Sequence, residues 1–277
     1  MVDVPAVNYP KPWLLFWASV ILAHGYLDYT IYQKWKSWNR GIKQSAATKG
    51  RWGRAVKIWA AEVFLQRQLF GLSSFRWLIH LSIFFGFVAL ASLSLSTSFL
   101  KLSDYLGING GVTHYFLRDN GYIFLKFWGD GFGLCLLVGL TSAGVRRFVL
   151  RPTQQVSNQA DVFLLFFLLW LTLSGFMLEG LRLSLVPDNL ARYSFVGRFF
   201  TLPGTHTLQE LQPWLTLLWI LHAFTGVSIL VYLPHSKLLH SVLSPLVIAL
   251  NAMEEQERED LYWPDIARHR ATKLPRG

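Results

Sequence analysis

Five long stretches of mainly apolar residues recur along the chain, and polar or charged segments separate them. They cover residues 13–32, 77–100, 122–145, 162–181 and 214–233. A helix needs about 20 such residues to cross the roughly 30 Å hydrocarbon core of a bilayer. Tryptophan or tyrosine stands at an end of most stretches, as is typical of the headgroup boundary. The pattern predicts an all-α membrane protein with a five-transmembrane-helix bundle.

The composition supports a membrane protein. Of the 277 residues, 52% are hydrophobic and 15% are charged, whereas soluble domains carry about 25% charged residues. This argues against a disordered chain, a collagen-like chain and an ordinary soluble enzyme. The single cysteine, Cys135, excludes an internal disulfide and a thiolate-ligated iron–sulfur cluster or zinc site. In a membrane protein, the net charge of +10 reflects basic cytoplasmic loops and contact with anionic lipid rather than nucleic-acid binding.

The basic residues predict the orientation of the bundle. Residues 33–76 hold ten Lys or Arg and one acid, Glu62, and three further arginines follow the third stretch. Because basic loops stay in the cytoplasm, we expect the N-terminus outside and the C-terminus inside. The first twelve residues lack a basic segment and a cleavage site, so the first stretch is expected to be a retained helix and not a signal peptide.

Two parts of the chain are expected on the cytoplasmic side. Residues 52–70 mix aromatic and aliphatic residues with basic ones, which is typical of an interfacial helix on the membrane or of a docking surface for a soluble partner. Residues 251–277 are too polar for a bilayer and are expected to form an arm that binds a partner. We therefore divide the chain into a membrane domain, 1–250 with loop 33–76, and a C-terminal arm, 251–277.

Histidines supply the candidate redox chemistry. A histidine inside a membrane span is costly and usually functional, although a single one can also hydrogen-bond a neighbouring helix. His222 and His240 are 18 residues apart, which is five helical turns, so we expect them on one face about 27 Å apart. Two stacked haems would need such a pair. Each haem needs a second imidazole from another helix, and His80 matches the expected depth of His240.

The second ligand beside His222 stays open. Leu90 stands ten residues after His80, so the second stretch offers no further histidine. His235 falls on a different helical face and is expected to be interfacial. The alternative to a second ligand is that no second haem is present. The candidates for the second ligand are His114, His24 and His206.

Charged residues in or near the spans are the other candidates. Lys126 and Asp130 are four residues apart, so they share a helix face and could pair. A proton-coupled redox site near the outer face needs a base and hydrogen-bond partners. Four residues near that face could supply such a catalytic site, which would be a quinone site in the family that the motifs below resemble, or an interfacial salt-bridge cluster that holds two spans together. They are Glu179, Arg182, Arg118 and Asp119.

Several motifs occur together in one order. They are RWLIH at 76–80, FLRDNG at 116–121, SGFMLEGLR at 174–182, WILHA at 219–223 and YLPHSKLLH at 232–240. In this combination the chain resembles the cytochrome b subunits related to the respiratory nitrate reductase gamma subunit. It is most similar to the branch linked to heterodisulfide reductase and dissimilatory sulfite reductase.

The resemblance implies a haem b subunit with two haems in a quinone-linked oxidoreductase complex. His80 and His240 correspond to the ligands of the cytoplasm-side haem, and His222 to a ligand of the outer haem. Electrons would pass between quinone or quinol, menaquinol among them, and a cytoplasmic iron–sulfur subunit. Arg76 could neutralise haem propionates.

The expected location is the cytoplasmic membrane of a bacterium or archaeon, in contact with membrane lipid and not with nucleic acid. Three other classes of protein remain as alternatives. They are a proton- or ion-translocating protein without haem, a non-redox membrane anchor and a di-iron membrane enzyme.

Overall fold

The computed structural model describes residues 13–39, 52–108, 110–150, 159–185, 193–241, 243–245 and 247–249, and these ranges contain helices and loops but no strand. Within these ranges, helices α1 to α8 follow one another in chain order. Their bounds are α1 Trp13–Asn39, α2 Trp52–Phe64, α3 Arg67–Leu72, α4 Ser74–Tyr105, α5 Gly110–Arg118, α6 Asn120–Val145, α7 Gln159–Leu183 and α8 Leu208–Tyr232.

Five of these helices are long and apolar enough to cross a membrane, namely α1, α4, α6, α7 and α8. Each covers all or nearly all of one of the five apolar stretches, so the all-α class and the number of candidate spans are confirmed. A five-residue π-helical segment, Arg146–Leu150, lengthens α6 at its C-terminal end. The orientation of the termini stays a prediction.

The chain divides into two compact units. The first comprises residues 1–27 and 78–232, and within it α6 packs against α5 and α7, and α7 packs against α8. Glycines allow close helix contacts here: a Cβ atom on Gly86 would lie 2.6 Å from Leu136 Cβ, and one on Gly133 would lie 2.6 Å from Phe176 Cζ. Small residues at such contacts are typical of helix packing in membranes.

The second unit comprises residues 28–77 and 233–277. Within it, the Trp59 indole N–H donates to the Pro245 carbonyl at 2.8 Å, and Val63 is buried. Gln66, in the left-handed conformation with φ 48°, separates α2 from α3. The stretch predicted to be an amphipathic helix is therefore helical but broken in two. Its contact with lipid or with a partner stays a prediction, and the arm 251–277 lies outside the described residues.

One expectation about the last span is wrong. α8 ends at Tyr232, and a 3-10 turn, Leu233–His235, follows it. Pro234 explains the end, because a proline lacks the backbone N–H and disfavours helix at the residue before it. His222 and His240 thus do not lie on one continuous helix, and the 18-residue spacing does not place them on one face.

Candidate functional site

His222 lies in α8 and faces α7. Its Nδ1 atom is 2.9 Å from the Oγ atom of Ser174, which is fully buried. The next residue, Gly175, lets the ring approach closely, since a Cβ atom there would lie 3.3 Å from His222 Cε1. The predicted ligand in the last span is therefore held against a Ser-Gly pair of the neighbouring span.

Two other predicted histidine ligands use the same ring nitrogen. His24 Nδ1 lies 2.8 Å from the Val20 carbonyl, and His240 Nδ1 contacts the Lys237 carbonyl. A carbonyl oxygen only accepts, so in both rings Nδ1 carries the proton and Nε2 keeps its lone pair. Iron takes a lone pair from an imidazole nitrogen, and a hydrogen bond from the other nitrogen fixes the tautomer. Both rings would thus hold a haem iron through Nε2.

His240 also lines a groove within the second unit. The groove has a volume of about 770 Å³, and its other lining residues include Leu239, Leu243, Ser244 and Val247. His80 is half-buried in α4, in the first unit. The pairing of His80 with His240 stays a prediction from the sequence.

The remaining predicted histidines are placed differently. His206 lies in the segment before α8, and its Nε2 atom is 3.0 Å from the Pro203 carbonyl, so Nε2 is the protonated nitrogen there. His114 is exposed on α5, while the adjacent Thr113 is buried. His235 is exposed in the 3-10 turn after α8, in agreement with a surface position.

A largely buried ionic cluster, with side chains 12–19% exposed, joins α6 to α7. Glu179 Oε1 accepts hydrogen bonds from Lys126 Nζ, from Arg182 Nη2 at 2.9 Å and from Ser194 Oγ at 2.7 Å. Arg182 Nε donates to Oε2 at 3.1 Å. The ring of Tyr122 lies 5.1 Å from Lys126 Nζ and 5.3 Å from Arg182 Cζ, within the range of cation–π attraction.

The expected pairing of Lys126 with Asp130 is corrected by this cluster. Lys126 binds Glu179 instead, and Asp130 Oδ2 accepts backbone N–H groups from Val196 at 2.6 Å and Gly197 at 3.2 Å. Asp130 therefore stabilises the start of the 3-10 helix Gly197–Phe200. The loop that leads from α7 to α8 is thereby held against α6.

The other predicted site residues stand at or beside helix ends. Asp119 is exposed directly before α6, and its carbonyl accepts the Tyr122 N–H at 2.9 Å. Arg118 is the last residue of α5, and its side chain lies outside the described part of the chain. Arg76 is exposed in the first turn of α4. The structure thus brings Glu179 and Arg182 together, as their spacing suggests.

An apolar cavity of about 390 Å³ lies between α7 and α8. Its lining includes Met177 and Leu181 from α7 and Trp214, Leu218 and Leu221 from α8. Two residues along a helix correspond to about 200° of rotation, so Glu179 points to the opposite face of α7 from Met177 and Leu181. The cavity and the ionic cluster are therefore separate features on two sides of one helix.

The donor set fits haem better than a bare metal ion. No group of three or more His, Cys, Asp or Glu that could hold a metal ion occurs in the part of the chain that the structure describes. A bis-histidine haem needs only two protein ligands, because the porphyrin supplies four nitrogens. Histidines that each keep Nε2 as the lone-pair nitrogen suit that requirement.

Several contributors to these sites were not singled out from the sequence. Ser174 and Gly175 were seen only as part of a motif, although a small polar residue inside an apolar span is a known signal for a helix contact. Ser194 and Tyr122 carried no signal of their own. They join Glu179, Lys126 and Arg182 only through the folded loop and the packing of α6 on α7.

Comparison with known proteins defines the class of this chain. It is a membrane-bound subunit of an electron-transferring oxidoreductase complex. Residues 56–248 match the profile of HdrE, the E subunit of dihydromethanophenazine:CoB–CoM heterodisulfide reductase. The match covers more than half of the chain, and the chain belongs to this family. The heterodisulfide reductase part of the resemblance is thereby confirmed.

Individual relatives agree with the family match. The chain is 26% identical to the HdrE protein of Methanosarcina mazei over 84% of this chain and 89% of the relative, and 26% identical to that of Methanosarcina barkeri over 78% and 73%. It is also 22% identical to the EtfAB:quinone oxidoreductase of Syntrophomonas wolfei, over 94% of this chain and 37% of that protein. No solved structure shows a significant match.

Proposed function

We propose that this chain is the haem b subunit of a membrane complex and transfers electrons between a lipid-soluble two-electron carrier and a soluble partner. The observation that carries the proposal is His222, whose Nδ1 atom lies 2.9 Å from the Oγ atom of Ser174 inside the bundle. The names of the relatives supply the carrier class, because they include dihydromethanophenazine and quinone.

The haem ligands in this proposal are His80, His222 and His240. When bound, a b-type haem supplies one-electron redox chemistry, and the protein sets its potential through ligands, burial and hydrogen bonds. The chain's own part is to present each imidazole in one tautomer and to exclude water around it. Arg76 is proposed to neutralise haem propionates.

The proposed carrier site uses Glu179 and Arg182, with Arg118 and Asp119 at the same end of the bundle. The reduced carrier gives up two electrons and two protons, so a proton acceptor is needed. Glu179 already has four donor contacts, from Lys126, Arg182 and Ser194. Oε2 accepts one hydrogen bond, from Arg182 Nε, so its second lone pair is the position at which Glu179 would take a proton.

The topology and partner of the complex belong to the same proposal. The basic loop 33–76 supports a cytoplasmic location for that loop, with the N-terminus outside. An iron–sulfur subunit docked on the cytoplasmic side would exchange electrons with the haem nearest to it. The loop 33–76 and the arm 251–277 are the proposed docking parts, in the cytoplasmic membrane of a bacterium or archaeon.

The experiment is a dithionite-reduced minus oxidised spectrum of the purified chain, with haem counted per polypeptide. We expect a b-type band in the wild-type chain and a loss of haem in His222→Ala. His206→Ala is the matched control, since Nε2 of His206 is already bonded to a carbonyl, and it should retain the wild-type spectrum. A folded, haem-supplied chain without a b-type band would contradict the proposal and favour an ion-translocating protein.

A further inference from the structure

Ser174 forms two contacts that together decide where its single hydroxyl proton lies. Its Oγ atom is 3.1 Å from the Leu171 carbonyl in its own helix and 2.9 Å from His222 Nδ1 in α8. The side chain is fully buried, at 0% relative exposure, so water does not compete for the hydroxyl.

The proton assignment follows from the chemistry of the three groups. The carbonyl of Leu171 has no proton and accepts the hydroxyl proton of Ser174. Ser174 Oγ therefore offers lone pairs to His222, and Nδ1 donates to it. The Leu171 carbonyl, which also interacts with His222, favours the same tautomer, because a carbonyl only accepts. In a neutral imidazole only one ring nitrogen carries a proton, so Nε2 is the acceptor nitrogen.

The residue after Ser174 fixes the position of the same ring. A Cβ atom on Gly175 would lie 3.3 Å from His222 Cε1, which is tighter than ordinary van der Waals contact. The ring thus rests against bare backbone beside the hydroxyl that it bonds. Ser174 sets the tautomer, and Gly175 provides the space, so the pair restricts rotation of the imidazole.

We propose that Ser174 is a positioning residue for the redox centre, acting through His222. Its hydroxyl accepts the Nδ1–H bond, holds Nε2 ready for iron and increases the electron donation of the imidazole once the iron is bound. This inference rests on the proposed function. Hydrogen bonds from ligating histidines to such acceptors orient the ring and raise its basicity.

Ser174→Ala is the direct test, and Thr172→Val is its matched control. Thr172 is also buried in α7, but its hydroxyl donates to the Leu168 carbonyl, so its removal leaves the contact with His222 intact. Without the acceptor, the imidazole donates less to ferric iron. We therefore expect Ser174→Ala to raise the midpoint potential of one haem and to shift its low-spin ferric EPR g values, and Thr172→Val to change neither.

Ser174→Cys covers the case in which the smaller side chain impairs folding. A thiol is a weak acceptor, so this variant should shift the potential in the same direction by a smaller amount. Electron–nuclear resonance on the wild-type chain with 15N-labelled histidine needs no variant. It should find an exchangeable proton on the remote ring nitrogen, Nδ1.

The outcomes separate this inference from the proposed function. If the wild-type chain binds no haem, the proposed function fails. If the wild-type chain binds haem and Ser174→Ala leaves both the potential and the g values unchanged, the positioning role is overturned while the proposed function stands. Iron bound through Nδ1 in the wild-type chain would also overturn it.

Discussion

Asp130 in α6 accepts the backbone N–H of Val196 at 2.6 Å, although 66 residues separate the two in the chain. Gly197 donates to the same carboxylate oxygen at 3.2 Å, and Asp130 is only 4% exposed. The two hydrogen bonds stabilise the buried carboxylate. They also provide an acceptor for the first N–H groups of the 3-10 helix, which have no partner within that helix. The loop before α8 is therefore anchored to α6 by a side chain inside a predicted span.

Asp130→Ala should destabilise this loop, because it leaves two buried N–H groups without their acceptor. A hydrogen bond to a charged group contributes about 2 kcal/mol, so losing two of them should lower the free energy of unfolding by about 4 kcal/mol. Chemical unfolding in detergent measures it. Asp130→Asn keeps an acceptor oxygen and should lose less, and equal losses in the two variants would argue against the anchoring role.

Gly180 permits a second close approach of the same loop. A Cβ atom at this position would lie 2.4 Å from the Phe200 carbonyl oxygen, so Gly180→Ala forces the backbone of the loop to move. We expect faster trypsin cleavage after Arg198, which is exposed. Limited proteolysis in micelles checks this.

Gly131→Ala is the control for that experiment. A Cβ atom there meets nothing within 4 Å, and alanine replaces glycine in a helix interior with a gain of about 0.5–1 kcal/mol. This variant should keep the wild-type cleavage pattern and unfold no more readily. Similar cleavage rates for both variants would contradict the steric role of Gly180.

In the ionic cluster, replacing Glu179 should lower the stability more than replacing Lys126. Glu179→Gln leaves two buried cations, Lys126 and Arg182, without their carboxylate, whereas Lys126→Met leaves a balanced Glu179–Arg182 pair. Breaking a buried pair costs about 3 kcal/mol, so Glu179→Gln should lose at least that much stability and Lys126→Met clearly less. The double variant should recover part of the loss, because only one unpaired cation remains.

Arg147 and Asp161 provide a comparison pair. Their closest atoms are 3.5 Å apart, and neither residue belongs to the cluster. At this longer distance, the coupling free energy of Arg147→Gln with Asp161→Asn should be smaller than that of Lys126 with Glu179. Coupling in the Lys126–Glu179 cycle no larger than in this cycle would contradict a strong buried pair.

Local patterns predicted the helices well and the contacts between them poorly. The five spans could be found because each needs only a long run of apolar residues. The rule for residues four apart paired Lys126 with Asp130, since it considers one helix at a time. The actual partners, Glu179 and the N–H groups of Val196 and Gly197, come from other helices and from a loop.

The histidines show the same limit. Helical periodicity placed His222 and His240 on one face, but the α-helix ends before Pro234, which lies between them. The composition of the chain could not reveal which ring nitrogen is protonated. That property depends on Ser174, which lies 48 residues before His222 and reaches it only after α7 and α8 pack.

The second ligand beside His222 can be tested with two candidates that the structure places differently. His24 is half-buried in α1, and α1 contacts α8 through Phe16 and Trp219, whose ring centroids are 5.3 Å apart. His24 also keeps Nε2 as its lone-pair nitrogen, because Nδ1 donates to the Val20 carbonyl. His114 is exposed on α5.

We therefore expect His24→Ala, and not His114→Ala, to change the haem bound by His222. Along a helix each residue advances 1.5 Å, so His24 lies about 12 Å beyond Phe16 and His222 about 4.5 Å beyond Trp219. Five spans that cross the membrane alternately place α1 and α8 parallel to each other. The difference in depth between His24 and His222 is then about 7.5 Å. Two imidazole side chains with the iron between them can span this difference by tilting. EPR of the ferric chain should show a high-spin signal replacing one low-spin signal in His24→Ala. The same replacement in His114→Ala would identify His114 as the ligand instead.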